Sequence, residues 1–210
     1  WSSDVCSSDL TIALTDTKAS TNITFSDNVT ATTGLTVSAG TGAYNVVFNG
    51  ASNTIAGATT FSNTGSVTLG NDATDSIQFT GGVVATAPSQ VNLAGTIKAT
   101  NSAISLGDSN TPIVLTANTT VDGNTSGNIT LGGTVNGAFA LTLNTTGTTT
   151  LSAVIGGTTA LASITTNTGG TVAINGGAIT TTGSQTYNDA TTLGANTTLT
   201  TTSNGDITFA

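Results

Sequence analysis

The chain has 210 residues, of which 6% are charged, against about 25% in an ordinary soluble domain, and about a quarter are threonine. Its formal net charge is −8, and Lys18 and Lys98 are its only basic residues. We therefore expect no nucleic-acid partner and no anionic-membrane partner, since both require a basic surface. No stretch approaches the roughly 18 apolar residues of a membrane helix. The hydrophobic content of 36% is too high for the composition of a disordered chain.

Residues 1–10 differ in composition from everything that follows. They contain the only tryptophan and the only cysteine, Trp1 and Cys6, and lack the Thr/Gly texture that begins at Thr11. The string resembles one reading frame of a sequencing adapter, so we interpret it as an assembly artefact outside the fold. A genuine linker is the alternative. Residues 11–210 are then a repeat region without disulfides, and we expect it to be truncated at both ends because the pattern starts and stops abruptly.

Short segments with the order apolar, small polar, apolar recur along the whole chain. This alternation is typical of strands that bury one side. The segments are 23–25, 35–37, 67–69, 77–79, 104–106, 129–131, 141–143, 172–174 and 207–209. Clusters of Gly, Asn, Asp and Ser separate them and favour turns. Strong helix formers are scarce, so the sequence predicts an all-β fold.

The strands are organised in repeats. Residues 115–132 align without gaps to residues 193–210 with eight of eighteen positions identical, which indicates a 78-residue repeat. Gly-Gly pairs begin at Gly132, Gly156 and Gly176, which indicates a finer unit of about 20 to 24 residues. Three short strands and three turns fill such a unit, as in one coil of a parallel β-helix, and about nine coils would form a rod of roughly 45 Å.

The β-helix also explains the scarcity of charge. Equivalent residues of successive coils lie above one another, so inward Val, Ile, Leu and Phe form apolar columns and outward Thr, Ser and Asn form polar ladders. Like charges stacked in this way would repel one another. A tandem array of small β-sandwiches is the alternative fold, because short strands at regular spacing are compatible with it too.

Two segments carry a resemblance to a known family. Gly132 to Asn144 (GGTVNGAFALTLN) and Gly183 to Leu193 (GSQTYNDATTL) resemble units of bacterial β-strand-repeat surface proteins, related to filamentous-haemagglutinin-like and autotransporter passenger adhesins. The likeness is closest over residues 111–210. Over residues 11–110 it is limited to the general residue composition and pattern. It implies a right-handed parallel β-helix exported to the bacterial cell surface, with an adhesive or structural role and no transferable catalytic residues.

The acids provide few candidate sites. The chain has no His, Glu or Arg, which disfavours the acid–base chemistry of β-helical polysaccharide lyases and hydrolases, so we expect no enzyme, no catalytic residues and no cofactor. Outside residues 1–10, the only closely spaced acids are Asp72 and Asp75. A turn is the favoured interpretation of Asn71 to Asp75. The alternative is a calcium loop, since Gly70 to Ile77 resembles one copy of a Ca²⁺-binding nonapeptide.

The aromatic residues have two interpretations. They could line a sugar-binding surface, or the phenylalanines could fill the coil interior while each tyrosine keeps its hydroxyl at the rim, which we favour. These residues are Tyr44, Phe48, Phe61, Phe79, Phe139, Tyr187 and Phe209.

The sequence thus predicts a non-catalytic structural or adhesive segment of a large secreted bacterial surface protein. The partner would be a glycan or protein of a host cell, a neighbouring cell or a matrix. A carbohydrate-binding or polysaccharide-processing β-helix module is the alternative. Open strand edges also predict self-association.

Overall fold

The computed structural model describes residues 11–210, which form 24 β-strands and no helix. Residues 1–10, interpreted from the sequence as an adapter artefact, lie outside the described residues. No segment of the described range is a helix that could cross a membrane. The strands are β1 (Thr11–Leu14), β2 (Asn22–Phe25), β3 (Thr30–Ala31), β4 (Gly34–Val37), β5 (Asn45–Phe48), β6 (Ser52–Ile55), β7 (Thr59–Thr60), β8 (Ser66–Leu69), β9 (Ser76–Phe79), β10 (Val83–Ala85), β11 (Gln90–Ala99), β12 (Ile104–Leu106), β13 (Ile113–Asn124), β14 (Ile129–Leu131), β15 (Val135–Asn136), β16 (Ala140–Thr145), β17 (Thr148–Leu151), β18 (Ser163–Thr166), β19 (Thr171–Ile174), β20 (Ala178–Thr181), β21 (Gln185–Tyr187), β22 (Ala190–Leu193), β23 (Thr198–Thr201) and β24 (Ile207–Phe209).

The strands form three parallel sheets that run the length of the molecule. Face A contains β2, β5, β8, the first half of β11, the start of β13, then β15, Ile155, β20 and β23. Face B contains β3, β6, β9, the second halves of β11 and β13, then β16, β18, β21 and β24. Face C contains β1, β4, β7, β10, β12, β14, β17, β19 and β22.

Each coil visits the faces in the order C, A, B, and about nine coils stack into a β-solenoid. Hydrogen bonds between equivalent positions of neighbouring coils illustrate the coil length and its variation. One such bond joins Asn128 to Thr148, which are 20 residues apart, and another joins Asn101 to Thr125, which are 24 residues apart. The predicted parallel β-helix and its predicted coil length are therefore confirmed. The β-sandwich alternative is wrong, because its sheets would be antiparallel.

Apolar columns fill the interior, as the alternation predicts. On face A one column contains Ile23, Val46, Val67, Val91, Ile113, Val135, Ile155, Ile179 and Leu199. Its seven middle members are at most 1% exposed. Burial of such side chains contributes about 1.5–3 kcal/mol each, and a single coil could not provide it alone.

The alignment of residues 115–132 with residues 193–210 does not correspond to a structural repeat. Leu115 lies on face A, whereas its aligned partner Leu193 lies on face C. Likewise Leu131 lies on face C and Phe209 on face B. The two segments are therefore out of phase by one face. Strands of all three faces share the same alternation, so a strand of one face aligns well with a strand of another.

The aromatic residues largely fill the core. Phe48, Phe61 and Phe79 are fully buried, and the rings of Phe61 and Phe79 meet edge to face at 6.1 Å. The prediction that each tyrosine keeps its hydroxyl at the rim is wrong for Tyr187. Its hydroxyl lies inside the coil and donates to the Gln185 side-chain carbonyl at 2.9 Å. A buried polar side chain therefore supplies its hydrogen-bond partner.

Candidate functional surface

A continuous column of hydroxyl side chains lies on the outer side of face B. We call it the threonine ladder, and each member pairs with the next through the parallel strands. Its members are Ser52, Ser76, Thr96, Thr120, Thr142, Thr165, Thr186 and Thr208. With a spacing of ~4.8 Å between coils, the eight side chains span roughly 34 Å. The predicted outward hydroxyl ladders are therefore present, and this one is unbroken over eight coils.

The ladder hydroxyls make no side-chain hydrogen bond within residues 11–210. Several outward polar groups of the other faces do have partners. On face C the Thr148 and Thr171 hydroxyls lie 3.1 Å apart and bond to each other. On face A the Asn92 amide donates to the Thr68 hydroxyl at 3.1 Å. Each free hydroxyl can donate one hydrogen bond and accept two, so the ladder is a row of unused donors and acceptors.

The column beside the ladder on face B contains the only ion pair of the described residues. The Lys98 ammonium lies 3.5 Å from the Asp122 carboxylate of the next coil. The neighbouring Gln78 amide donates to the Thr100 hydroxyl at 2.9 Å. The two charges compensate each other, so this pair adds no net charge to face B.

Asparagine side chains at the corners hold successive coils in register. The Asn101 carbonyl accepts hydrogen bonds from the Thr125 backbone and hydroxyl, at 3.1 and 2.6 Å. The Asn136 carbonyl accepts from the backbone N–H groups of Thr158 and Thr159, at 2.9 and 3.1 Å. These bonds satisfy polar groups that have no partner in the strand pairing, and they hold neighbouring coils in register. The same register aligns the hydroxyls of the threonine ladder.

Where face A turns into face B, Gly95 lets the coils approach closely. Its φ is +72°, and a Cβ there would lie 2.2 Å from the Asp75 carbonyl oxygen of the preceding coil. Only glycine combines this backbone conformation with this contact. The corner directly precedes Thr96, and so it positions one rung of the ladder.

The segment containing Asp72 and Asp75 forms a turn that protrudes at the same corner. The Asp75 carboxylate accepts hydrogen bonds from the N–H groups of Asn71 and Asp72, at 2.8 and 3.1 Å. The Asp72 carboxylate accepts from the Thr74 N–H and hydroxyl, both at 2.9 Å, and these bonds lower its pKa. The two carboxylates thus serve the turn itself, which favours the turn interpretation over a calcium loop.

Acidic groups do not converge elsewhere in the described range. Within residues 11–210 no three His, Cys, Asp or Glu side chains lie close enough to hold one metal ion. Asp189 is the one deeply buried acid that the sequence did not single out. One of its oxygens accepts from the Gly170 N–H at 2.7 Å, and the other has no partner among the described residues. Asp189 is 2% exposed, so its carboxylate is shielded from solvent.

No family model, no curated protein and no solved structure matches this chain. Function is therefore inferred from the geometry of the coils and from the threonine ladder. The likeness to bacterial β-strand-repeat proteins depends only on the residue pattern of two segments.

Proposed function

We propose that the chain is a non-catalytic structural and adhesive segment of a large secreted bacterial surface protein. The observation that carries the proposal is the uninterrupted stack of about nine coils whose outer faces are mainly polar and carry few charges. Each coil of roughly 22 residues extends the rod by ~4.8 Å and adds the same width of exposed surface. Such a fold supplies reach and contact area and needs no reaction site.

The proposed location is the bacterial cell surface or the medium around it, and the composition supports this. Residues 11–210 contain no cysteine, so disulfides cannot trap the chain in a folded state before export. The likeness to passenger adhesins points to the same place. The proposed partners are glycans or proteins of a host cell, a neighbouring cell or a matrix.

A bead-adhesion assay tests the proposal. Beads carrying the folded chain should attach to bacterial cells, host cells or matrix films more than beads carrying albumin at equal density. Free chain in solution should compete for this attachment. If the beads attach to none of these three kinds of surface, the adhesive role is contradicted.

Carbohydrate binding is a second candidate, and the threonine ladder favours it. A polysaccharide presents neutral hydroxyls that both donate and accept, and a chain lying along the rod could bond to successive rungs. The ladder variant Thr142→Val with Thr165→Val keeps the side-chain shape and removes two hydroxyls. At about 1 kcal/mol for each lost bond, affinity for a bound glycan should fall about 30-fold.

The matched control changes two outward threonines of face C, Thr130→Val with Thr150→Val, which are paired in neighbouring coils in the same way. A glycan array first identifies a bound sugar class, and titration of both variants then locates the site. Equal binding by the two variants would contradict a glycan site on face B. Absence of binding to any glycan would leave only the adhesive role toward proteins.

A further inference from the structure

Four asparagines of the chain are followed directly by glycine, and this dipeptide is chemically labile. They are Asn49, Asn136, Asn175 and Asn204. The glycine backbone nitrogen can attack the amide carbon of the asparagine side chain, because glycine has no Cβ that hinders the approach. Asn204 lies in the last described coil, and Gly50, which follows Asn49, is buried. The clearest contrast is therefore between Asn136 and Asn175.

Hydrogen bonds hold both reacting groups of the Asn136–Gly137 pair. The Asn136 side-chain carbonyl accepts from the N–H groups of Thr158 and Thr159, at 2.9 and 3.1 Å. The Gly137 N–H donates to the Thr159 carbonyl at 3.3 Å. The glycine nitrogen cannot reach the amide carbon before these bonds open. The folded chain therefore protects this pair.

The Asn175–Gly176 pair lacks this protection. Asn175 directly follows β19 at the corner from face C to face A, and it is exposed. Within residues 11–210, neither its side-chain amide nor the Gly176 N–H has a hydrogen-bond partner. Both reacting groups are therefore free, and water reaches the amide directly from solvent.

The packing of the coils requires the glycine that makes Asn175 reactive. A Cβ added at Gly176 would collide with the Ala153 backbone carbonyl of the preceding coil. A residue with a side chain, which would slow the attack, therefore does not fit at this position. On the other side, a Cβ added at Gly194 would collide with the Asn175 side-chain oxygen. A change at Asn175 is thus felt at the corner of the next coil.

We propose that Asn175 is a site of spontaneous deamidation, which places a carboxylate at the corner between faces C and A. The Gly176 nitrogen loses its proton to solvent and forms a bond to Asn175 Cγ. The Cγ–Nδ2 bond breaks, and the leaving nitrogen takes a proton from solvent and departs as ammonia. Water then opens the succinimide ring at either carbonyl and yields aspartate or isoaspartate. The reaction needs only water, and the proposal is independent of adhesion and of the threonine ladder.

Peptide mapping by mass spectrometry tests the proposal on the full folded chain, incubated at mildly alkaline pH in heavy-oxygen water. Ring opening adds one oxygen from the solvent, so the heavy isotope marks every conversion that occurs during the incubation. Asn175 should convert readily. If only two of the hydrogen bonds at the Asn136 pair must open first, Asn136 should convert roughly thirtyfold more slowly than Asn175.

The matched control is the same chain unfolded in urea, where both pairs present the same dipeptide without the fold and should convert at similar rates. In the variant Asn175→Gln the longer side chain cannot close the five-membered ring, so conversion at this position should be suppressed. Circular dichroism verifies that the variant keeps its fold. Equal rates at Asn136 and Asn175 in the folded chain overturn the proposal. An unconverted Asn175 in the folded chain, under conditions in which the unfolded chain converts, overturns it as well.

Discussion

Two buried threonines on consecutive strands should respond oppositely to the same substitution. The hydroxyls of Thr145 and Thr149 are both fully buried. The Thr145 hydroxyl donates to the Gly127 carbonyl at 2.7 Å and accepts from the Gly147 N–H at 2.9 Å. The Thr149 hydroxyl has no partner in residues 11–210 and lies in an apolar column between Ile129 and Val172.

Replacement by valine therefore removes a stabilising group at one site and a destabilising group at the other. A buried hydroxyl without a partner costs about 1–3 kcal/mol, so Thr149→Val should raise the free energy of unfolding by about 1–2 kcal/mol. Thr145→Val strands two backbone groups and should lower it by about 1–3 kcal/mol. In a chain of this size these changes correspond to shifts in Tm of about 2–4 °C per kcal/mol.

Thermal melts and urea titrations of both variants measure the difference. Each substitution removes one hydroxyl and adds one methyl group, so each variant is the control for the other. Destabilisation by Thr149→Val comparable to that by Thr145→Val would refute the reasoning, because it would mean that the Thr149 hydroxyl has a partner in the folded protein.

Three further predictions follow from the corners and the core. Burial raises the pKa of Tyr187 because the folded protein favours its protonated phenol. The stability that this phenol contributes is therefore complete below about pH 10 and is lost as the pH rises above that value. Tyr187→Phe should reduce this alkaline loss, as measured by urea titration at pH 8 and pH 11; an unchanged loss would contradict a protected phenol. Gly95→Ala should destabilise far more than Gly57→Ala in thermal melts, because both have positive φ but a Cβ at Gly57 finds its nearest atom at 3.5 Å; equal effects would mean that the close approach at Gly95 does not exist. Millimolar calcium should leave Tm unchanged, because the Asp72 and Asp75 carboxylates serve their own turn, and a rise in Tm would restore the calcium interpretation.

Part of the strand pattern was predictable because its signal is local. All nine segments identified by alternation lie within strands. Some of the strands that the alternation missed have threonine at inward positions, as in β17 and β18, where Thr149 and Thr166 are fully buried. A polar residue facing the core does not differ in the sequence from one facing solvent.

The phase of the coils was not predictable, because it depends on turn lengths that vary from coil to coil. Along the ladder, the step from Thr96 to Thr120 is longer than the step from Thr120 to Thr142. The step from Thr165 to Thr186 is shorter than either. No fixed period aligns these residues. The general expectation of hydroxyl ladders could therefore be made, but the members of this ladder could not be identified.

Successive residues of the threonine ladder lie one coil apart along the axis of the solenoid. Spin labels at cysteines replacing Thr96, Ser76 or Ser52, each paired with one replacing Thr208 in a chain carrying Cys6→Ser, measure this by pulsed electron paramagnetic resonance. The 96–208 pair spans five coils, the 76–208 pair six and the 52–208 pair seven. We predict backbone separations of about 24, 29 and 34 Å, which increase by ~4.8 Å per coil. Separations that do not increase with the number of coils would contradict the solenoid.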